Sequence, residues 1–95
     1  MPAASRLGDV CTGHGCFPPR PSTGASGNVY INGIRAHRQG DGWASHCCGA
    51  SCHASVLSAG STSVFVNGQA LARIGDAVAC GSVVAQGSPS VFAGG

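Results

Sequence analysis

Six cysteines and four histidines are the residues of this 95-residue chain whose types and spacing indicate chemistry. All of them except His37 lie in three segments that each follow a Gly-Asp dipeptide, at positions 8–9, 40–41 and 75–76. Nitrogen and sulfur donors suit zinc, and structural zinc sites use four of them in tetrahedral geometry. The clustering therefore predicts a metal site, which would also supply the staple that a small chain with few large core side chains needs.

Three of these donors occupy equivalent places when the segments are aligned on the strand that follows each of them. Counted back from that strand, His53 and Cys80 each lie eleven residues upstream, and His14 lies fifteen upstream. The extra proline-rich residues of the first segment can absorb the difference. Equivalent positions in three equivalent units would converge on a pseudo-threefold axis, where these side chains supply three corners of a tetrahedral site.

The fourth ligand has two candidates, His37 and His46. His37 replaces Ala72 of the equivalent hairpin, and strand parity predicts that its side chain points inward. His46 follows its Gly-Asp dipeptide by five residues, as His14 follows its own. The pattern favours His37 slightly, with His46 as the substitute. Zinc is the expected ion, and iron, which accepts a similar ligand set, is the less favoured one.

The other cysteines allow two interpretations. Residues 1–6 lack the apolar core of a signal peptide, and no apolar run is long enough to span a bilayer. The sequence thus predicts synthesis in a reducing cytoplasm, where thiols and metal ligands are favoured over disulfides. The alternative is a disulfide, either Cys11–Cys16 or one among Cys47, Cys48 and Cys52.

Catalysis is only weakly indicated. A nucleophile and base can be written, for instance Cys47 with His53, but nothing orients the base and no oxyanion hole is signalled. The only acidic residues occupy one repeat position after glycine, which is typical of a turn: Asp9, Asp41 and Asp76. The arginines three residues before them are expected to pair with these carboxylates or with turn carbonyls. We predict a non-enzymatic protein without a small-molecule substrate.

The elements that position these residues are repeated β-hairpins. Residues 64–76 predict a strand, an Asn-Gly turn, a second strand and a Gly-Asp exit, and residues 29–41 repeat the pattern thirty-five residues earlier. The chain begins with the second half of a unit, at residues 3–9, and ends with the first half of another, at 87–93. Two hairpins and two halves make three copies, which must pack together because one unit cannot bury its own apolar face.

Composition predicts a single all-β domain over residues 1–95 with a partner that covers its surface. Sixteen glycines and five prolines indicate turns and short strands, and residues 10–27 and 42–53 are expected to be loops. Only 8% of the residues are charged, which is low for a surface that faces water alone. Five scattered arginines without any lysine do not form a nucleic-acid footprint, so no nucleic-acid partner is expected.

The repeated signature resembles the Pro-Ala-Ala-Arg (PAAR) repeat family. Residues 35–38 and 70–73 are each followed by x-Gly-Asp and preceded by Val-aromatic-x-Asn-Gly, and residues 1–6 nearly match the motif itself. The similarity covers most of the chain, although neither internal copy keeps the proline and His37 replaces an alanine. The resemblance implies a small pointed cone of short β-hairpins with pseudo-threefold repeats and a metal, usually zinc, held near the vertex.

The resemblance also implies a function. Such proteins cap the trimeric β-helical (VgrG-like) spike of the type VI secretion system or of contractile phage tails. One chain per trimer is expected to ride on the spike, contact the target membrane and help to pierce it. Because the chain ends at Gly95 directly after the last predicted strand, no effector domain is expected. The other class that fits the residues is a free-standing zinc-binding or thiol redox module.

Overall fold

The computed structural model describes residues 1–95 and contains strands but no helix, which confirms the all-β class. The strands are β1 (Tyr30–Ile31), β2 (Ile34–Arg35), β3 (Gly42–Cys48), β4 (Ser51–Val56), β5 (Phe65–Val66) and β6 (Gln69–Ala70). Each pairs with its neighbour along the chain as an antiparallel hairpin. The molecule is elongated, with extents of 37 × 24 × 22 Å. It has no helix that is long and apolar enough to cross a bilayer.

The hairpins β1–β2 and β5–β6 form around the Asn-Gly turns that the sequence predicts. Asn32 and Asn67 adopt φ angles of 54° and 53°, and the glycines after them have φ angles of 76° and 77°. Positive φ at both central residues is the signature of a type I′ turn, whose twist matches that of the flanking strands. The two repeats are therefore the same hairpin.

The two ends of the chain form the third hairpin. Ala3 and Phe92 are bridge partners, and the backbone N–H of Ala4 donates to the carbonyl of Val91 at 2.9 Å. The whole hairpins contain the same bond, for example from Ala36 to the carbonyl of Val29 at 2.9 Å. The prediction that the terminal halves complete one unit is confirmed.

A closed ring of backbone hydrogen bonds joins the three units. Ser5 N–H donates to the carbonyl of Ala72 at 2.9 Å, Ala72 N–H donates to that of His37 at 3.0 Å, and His37 N–H donates to that of Ser5 at 3.2 Å. All three residues are fully buried and occupy equivalent repeat positions. The units thus surround a pseudo-threefold axis and are not arranged in a row.

Each repeat unit ends in a turn that is closed by an ion pair between an arginine and the aspartate three residues later. We call this turn and its ion pair a clasp. Arg38 donates through Nε and Nη2 to the two carboxylate oxygens of Asp41 at 2.8 and 2.9 Å, and its backbone N–H donates to Oδ2 at 2.9 Å. Gly40 between them has a φ of 89°, as the third residue of a type II turn requires. The same clasp recurs as Arg6–Asp9 and Arg73–Asp76, which confirms the predicted turn role.

The apolar interior consists of two clusters. The three hairpins bury the first, made of Ala4, Ile31, Ala36, Val66, Leu71 and Ala93. The segments that follow the clasps, together with Ala72 of the ring, bury the second, made of Cys11, Trp43, Leu57, Ala72, Val78 and Val84, with Cys80 packed against it. Most of the second cluster thus comes from the segments that contain the cysteines and histidines.

The longest hairpin, β3–β4, occupies residues 42–56, most of which we expected to be a loop, so that expectation was wrong. Its strands turn at Gly49, which has a φ of 61°, and a register irregularity lies between Trp43 and His46. Trp43 is 2% exposed in the second cluster. The hairpin is therefore anchored by burial of one large side chain, because its alanine, serine and cysteine residues have little strand preference of their own.

Candidate metal centre

Four of the donors singled out in the sequence converge at one place: the ligand atoms of His14, His46, His53 and Cys80 lie within 4.8 Å of one another. The Nε2 atom of His53 is 3.1 Å from that of His14 and 2.7 Å from that of His46. Around tetrahedral zinc, ligand atoms are about 3.3–3.6 Å apart. The donor set and its spacing are compatible with a metal site.

Three separate segments bring these donors together. His46 and His53 are directly opposed in the β3–β4 register, so both side chains lie on one face of the hairpin. His14 lies in a tight turn closed by paired backbone hydrogen bonds with Phe17, of 3.0 and 2.8 Å. Cys80 lies in a turn closed by a bond from Gly81 to Val78. A bound ion would cross-link all three segments.

Phe17 packs against all three imidazoles of the cluster. Its ring centroid lies 4.8 Å from that of His14, 4.9 Å from that of His46 and 4.4 Å from that of His53. An aromatic cover of this kind restricts solvent access to a metal site and fixes the ring orientations. Phe17 was not among the predicted site residues, and the one signal for it is that residues 10–27 contain no other Phe, Trp or Tyr.

The tautomer of His46 follows from its backbone contact. Nδ1 lies 2.8 Å from the carbonyl oxygen of Pro18, which can only accept a hydrogen bond. Nδ1 must therefore carry a proton, and the nitrogen left for a metal is Nε2, which faces the cluster. A carbonyl partner of this kind prepares a histidine for metal binding through its other nitrogen.

Arg20 also reaches the cluster, although its side chain is charged and the residue is only 3% exposed. Its Nη1 lies 2.6 Å from Nε2 of His46, and its Nη2 donates to Sγ of Cys80 at 3.3 Å. Its guanidinium carbon lies 6.0 Å from the centre of the Trp43 ring. One signal could have identified it: Arg20 is the only arginine that lies in a Cys/His segment and outside a hairpin.

The thiol of Cys80 is strongly acidic. Burial alone raises its pKa, but hydrogen bonds from Arg20, from Ser82 and with His53 outweigh that effect and lower the pKa from 9.0 to about 5. Cys80 is therefore a thiolate at neutral pH. This is the form in which cysteine binds a metal.

His37 does not join the cluster, contrary to the slight preference for it as the fourth ligand. Its Nδ1 donates to the carbonyl of Gly24 at 2.7 Å, and its ring packs edge-on against Trp43 with centroids 5.0 Å apart. Burial lowers its pKa, so the ring is neutral. His37 does point inward, as predicted. At this repeat position, however, the interior is the pseudo-threefold axis, where the equivalent residues are Ser5 and Ala72. The fourth residue of the cluster is His46.

Four cysteines form disulfides, contrary to the favoured prediction of thiols and metal ligands. Cys47 pairs with Cys52 across β3–β4, and Cys16 joins Cys48, so the first segment is tied to the hairpin. The pair Cys11–Cys16 is not formed, and Cys11 is a buried free thiol. Cys47 is therefore not available as the nucleophile of a Cys47–His53 pair.

Comparison with known proteins identifies the relatives of this architecture. The PAAR motif family model matches residues 7–86. The chain is 33% identical, over 87 aligned positions covering 81% of its length, to the NAD(P)(+) glycohydrolase toxin Tse6 of Pseudomonas aeruginosa. The (p)ppApp synthetase toxin Tas1 of Pseudomonas aeruginosa strain UCBPP-PA14 is similar to the same extent. The chain spans 20% of the length of each of these two relatives.

Proposed function

This chain belongs to the PAAR motif family, and on that premise we propose that it is the tip of a trimeric β-helical spike in a type VI secretion system or a related contractile tail. Residues 1–95 act as a single domain in this proposal. The reason is that residues on either side of the matched range, Ala3 and Phe92, pair with each other and complete the third unit.

The observation that carries the proposal is a threefold set of half-exposed aromatic side chains. Tyr30, Phe65 and Phe92 occupy one equivalent position in each hairpin and are 54%, 58% and 50% exposed. We call them the aromatic triad. Large apolar groups at such exposure mark surfaces that a partner covers. A trimer with true threefold symmetry offers each of them the same environment.

The repeat supports a stoichiometry of one chain per trimer. One chain contains three copies of the hairpin around one axis, so a single copy already presents one unit to every subunit of a trimer. One chain per spike is therefore the geometry that satisfies all three units at once. In that position the hairpins would also cover open strand edges at the end of the spike, which otherwise invite aggregation.

In this proposal His14, His46, His53 and Cys80 hold zinc, with iron as the less favoured ion. Zinc supplies a structural cross-link when it is bound. The protein contributes the fixed tautomer of His46, the thiolate of Cys80 and the aromatic cover of Phe17. The cross-link matters because the second core cluster has only six residues to hold the donor segments.

The mechanical role follows from the shape and the cross-links. The molecule is 37 Å long and about 22–24 Å across. Cys16–Cys48 ties the first donor segment to β3–β4, Cys47–Cys52 closes that hairpin, and in this proposal a metal joins the Cys80 segment to both. A stiff, narrow end helps a driven spike to penetrate a target membrane. The chain is delivered on the spike and acts without catalysing a reaction. The activities named for the two relatives belong to proteins of which this chain spans one fifth.

The test is assembly with candidate trimeric spikes. The zinc-loaded protein is mixed with each purified spike, and the complexes are weighed by native mass spectrometry. We expect one chain per trimer at any excess of tip. Three chains per trimer, or no complex with any of the spikes, would contradict the proposal.

A second function, a thiol redox module, is favoured by the two disulfides beside an acidic thiol at Cys80. Reversible reduction by physiological dithiols separates the two functions. A redox module exchanges its disulfides readily and does not require a spike, whereas a tip keeps them closed and binds one.

A further inference from the structure

The turn that contains His14 has no backbone hydrogen bond to any other part of the protein. Within residues 13–19, the only backbone bonds are the two between His14 and Phe17. Gly13 and Gly15, on either side of His14, have φ angles of 71° and 54°, a region that few other residues enter. The position of His14 in the cluster therefore depends on side-chain contacts and covalent bonds.

The other three donors of the cluster lie in or beside backbone ladders. His46 and His53 are directly opposed in the β3–β4 pairing. Cys80 follows Ala79, whose N–H donates to the carbonyl of Val56 at 3.0 Å. Their segments are therefore joined to each other by the backbone, and His14 is the donor that needs a separate attachment.

One covalent bond attaches the His14 turn to β3. Cys16 and Cys48 form a disulfide with their Cα atoms 5.4 Å apart. Each cysteine follows a donor histidine by two residues: Cys16 follows His14, and Cys48 follows His46. Because side chains two residues apart along a strand share a face, Cys48 lies on the face of β3 that presents His46 to the cluster. The disulfide thus holds the His14 turn beside that histidine.

The second disulfide lies on the other face of the same hairpin. Cys47 and Cys52 are directly opposed in β3–β4 and are one residue away from His46 and His53, so their side chains point away from the cluster. The bond joins two strands that the backbone already pairs. It brings no further donor segment to the site.

We propose that the Cys16–Cys48 disulfide is a positioning element of the candidate metal centre, which raises the metal affinity by holding His14 against the histidines of β3–β4. The inference rests on the proposed metal site and adds that its affinity depends on the oxidation state of this cysteine pair. Without the bond, the His14 turn must be ordered when the metal binds, and that cost weakens binding. The coupling is reciprocal, so a bound metal makes the disulfide harder to reduce.

The test compares the zinc affinity of the double variant Cys16→Ser, Cys48→Ser with that of the wild type, by competition with a chromogenic chelator. Serine is close to cysteine in size but can neither form the bond nor supply a thiolate. We expect the affinity to fall about tenfold or more. The double variant Cys47→Ser, Cys52→Ser is the matched control and should stay within about twofold of the wild type. An equal fall in both double variants would contradict the proposal.

His53→Ala separates this inference from the metal site itself. If the wild type and His53→Ala bind zinc equally, the metal site fails and the inference fails with it. If the wild type binds zinc and His53→Ala does not, but the variant without Cys16–Cys48 binds as tightly as the wild type, the metal site stands and the disulfide does not position it.

The wild type decides the matter if the variant without Cys16–Cys48 does not fold in the absence of metal. It is equilibrated with reduced and oxidised glutathione, with and without saturating zinc at a buffered free concentration. Reduction converts the Cys16–Cys48 bond into two thiols and joins two glutathione molecules in one disulfide. We expect zinc to lower the equilibrium constant of this reaction about tenfold or more, which moves the midpoint potential by about 30 mV. Alkylation and mass spectrometry measure it, and a midpoint that zinc does not change overturns the proposal.

Discussion

His46 and His53 face each other in direct register across β3–β4, and their Nε2 atoms lie 2.7 Å apart. Because Nδ1 of His46 carries its proton, the Nε2 of that ring offers a lone pair to the same point that His53 approaches. A single hairpin therefore presents two nitrogen donors in a fixed relation. His14 and Cys80 need only to be brought to this pair by the folding of the other segments.

Replacing His53 with alanine should remove one of the four proposed metal donors. It is the donor whose Nε2 lies close to those of both His14 and His46. Structural zinc in finger peptides has an apparent binding free energy of about 10–16 kcal/mol, so losing a ligand should cost about 3 kcal/mol or more. For a domain of this size the melting temperature of the zinc-loaded protein should fall by roughly 12–24 °C. Differential scanning calorimetry checks this. Ser45→Ala, on an exposed residue of β3, is the control, and equal melting of the two variants would oppose the metal role.

His37→Ala and His46→Ala should differ in the amount of zinc that the protein retains, although both substitutions should lower its stability. We expect His37→Ala to keep one zinc per chain, because its ring contacts Trp43 and Gly24 instead of the cluster. Its buried ring leaves a cavity that costs about 2–3 kcal/mol. His46→Ala should lose most of the bound zinc. Elemental analysis of the dialysed proteins distinguishes them, and zinc loss in His37→Ala alone would return that residue to the ligand set.

The acidic thiol of Cys80 predicts a pH dependence for the metal-free protein. Its pKa falls from 9.0 in the unfolded chain to about 5 in the folded one. The folded state therefore binds the proton less tightly, so the contribution to stability is complete above pH 9 and is lost as the pH falls through 5. Urea unfolding across this range should show wild type gaining more stability with pH than Cys80→Ser. Parallel curves would rule out a thiolate in the folded state.

Breaking one clasp should destabilise the whole ring. Asp41→Ala removes the acceptor of a backbone N–H and of two guanidinium N–H groups, and leaves Arg38 without its counter-charge. We expect a loss of about 2–4 kcal/mol in the free energy of unfolding, measured with denaturant. Arg35→Ala removes an exposed arginine and should stay within about 0.5 kcal/mol of wild type. Equal losses would mean that charge alone, and not the clasp, matters.

The aromatic triad should carry the affinity for the spike. Phe65→Ser removes one of three half-exposed rings, and we expect the dissociation constant for the cognate trimer to rise about tenfold or more. Val56→Ser, on a residue of β4 that is 44% exposed and lies outside the hairpin repeat, controls for a general loss of apolar surface. Biolayer interferometry measures both. An effect of Val56→Ser as large as that of Phe65→Ser would place the contact elsewhere.

The hairpins and three of the clustered donors could be predicted because their signals are local or repeated. Asn32-Gly33 and Asn67-Gly68 specify their turns without help from distant residues. The convergence of His14, His53 and Cys80 followed from aligning the repeats, since equivalent positions around an axis must meet. Both inferences depend on features that can be read from the sequence itself, namely the repeated motif and the Asn-Gly turn residues.

The remainder depends on tertiary environment. The β3–β4 hairpin has few residues with strand preference, and burial of Trp43 stabilises it only once the second cluster exists. The alternation of side chains along a strand predicted that His37 points inward. It could not predict the distance between His37, which lies at the pseudo-threefold axis, and the cluster of His14, His46, His53 and Cys80. The sequence marks Arg20 only as the one arginine of a Cys/His segment outside the hairpins, and its burial against Trp43 depends on the tertiary fold.

The pairing of the two chain ends has a consequence for biosynthesis. Ser5 donates through its hydroxyl to the carbonyl of Gln86, 81 residues away, and Ala4 pairs with Val91. Ala3 and Ala4 therefore lack their hairpin partners until residues near position 90 have been translated. Contacts this distant along the chain slow folding, and the waiting strand is exposed meanwhile. The unit whose first half is synthesised earliest is thus closed after both whole hairpins have been translated.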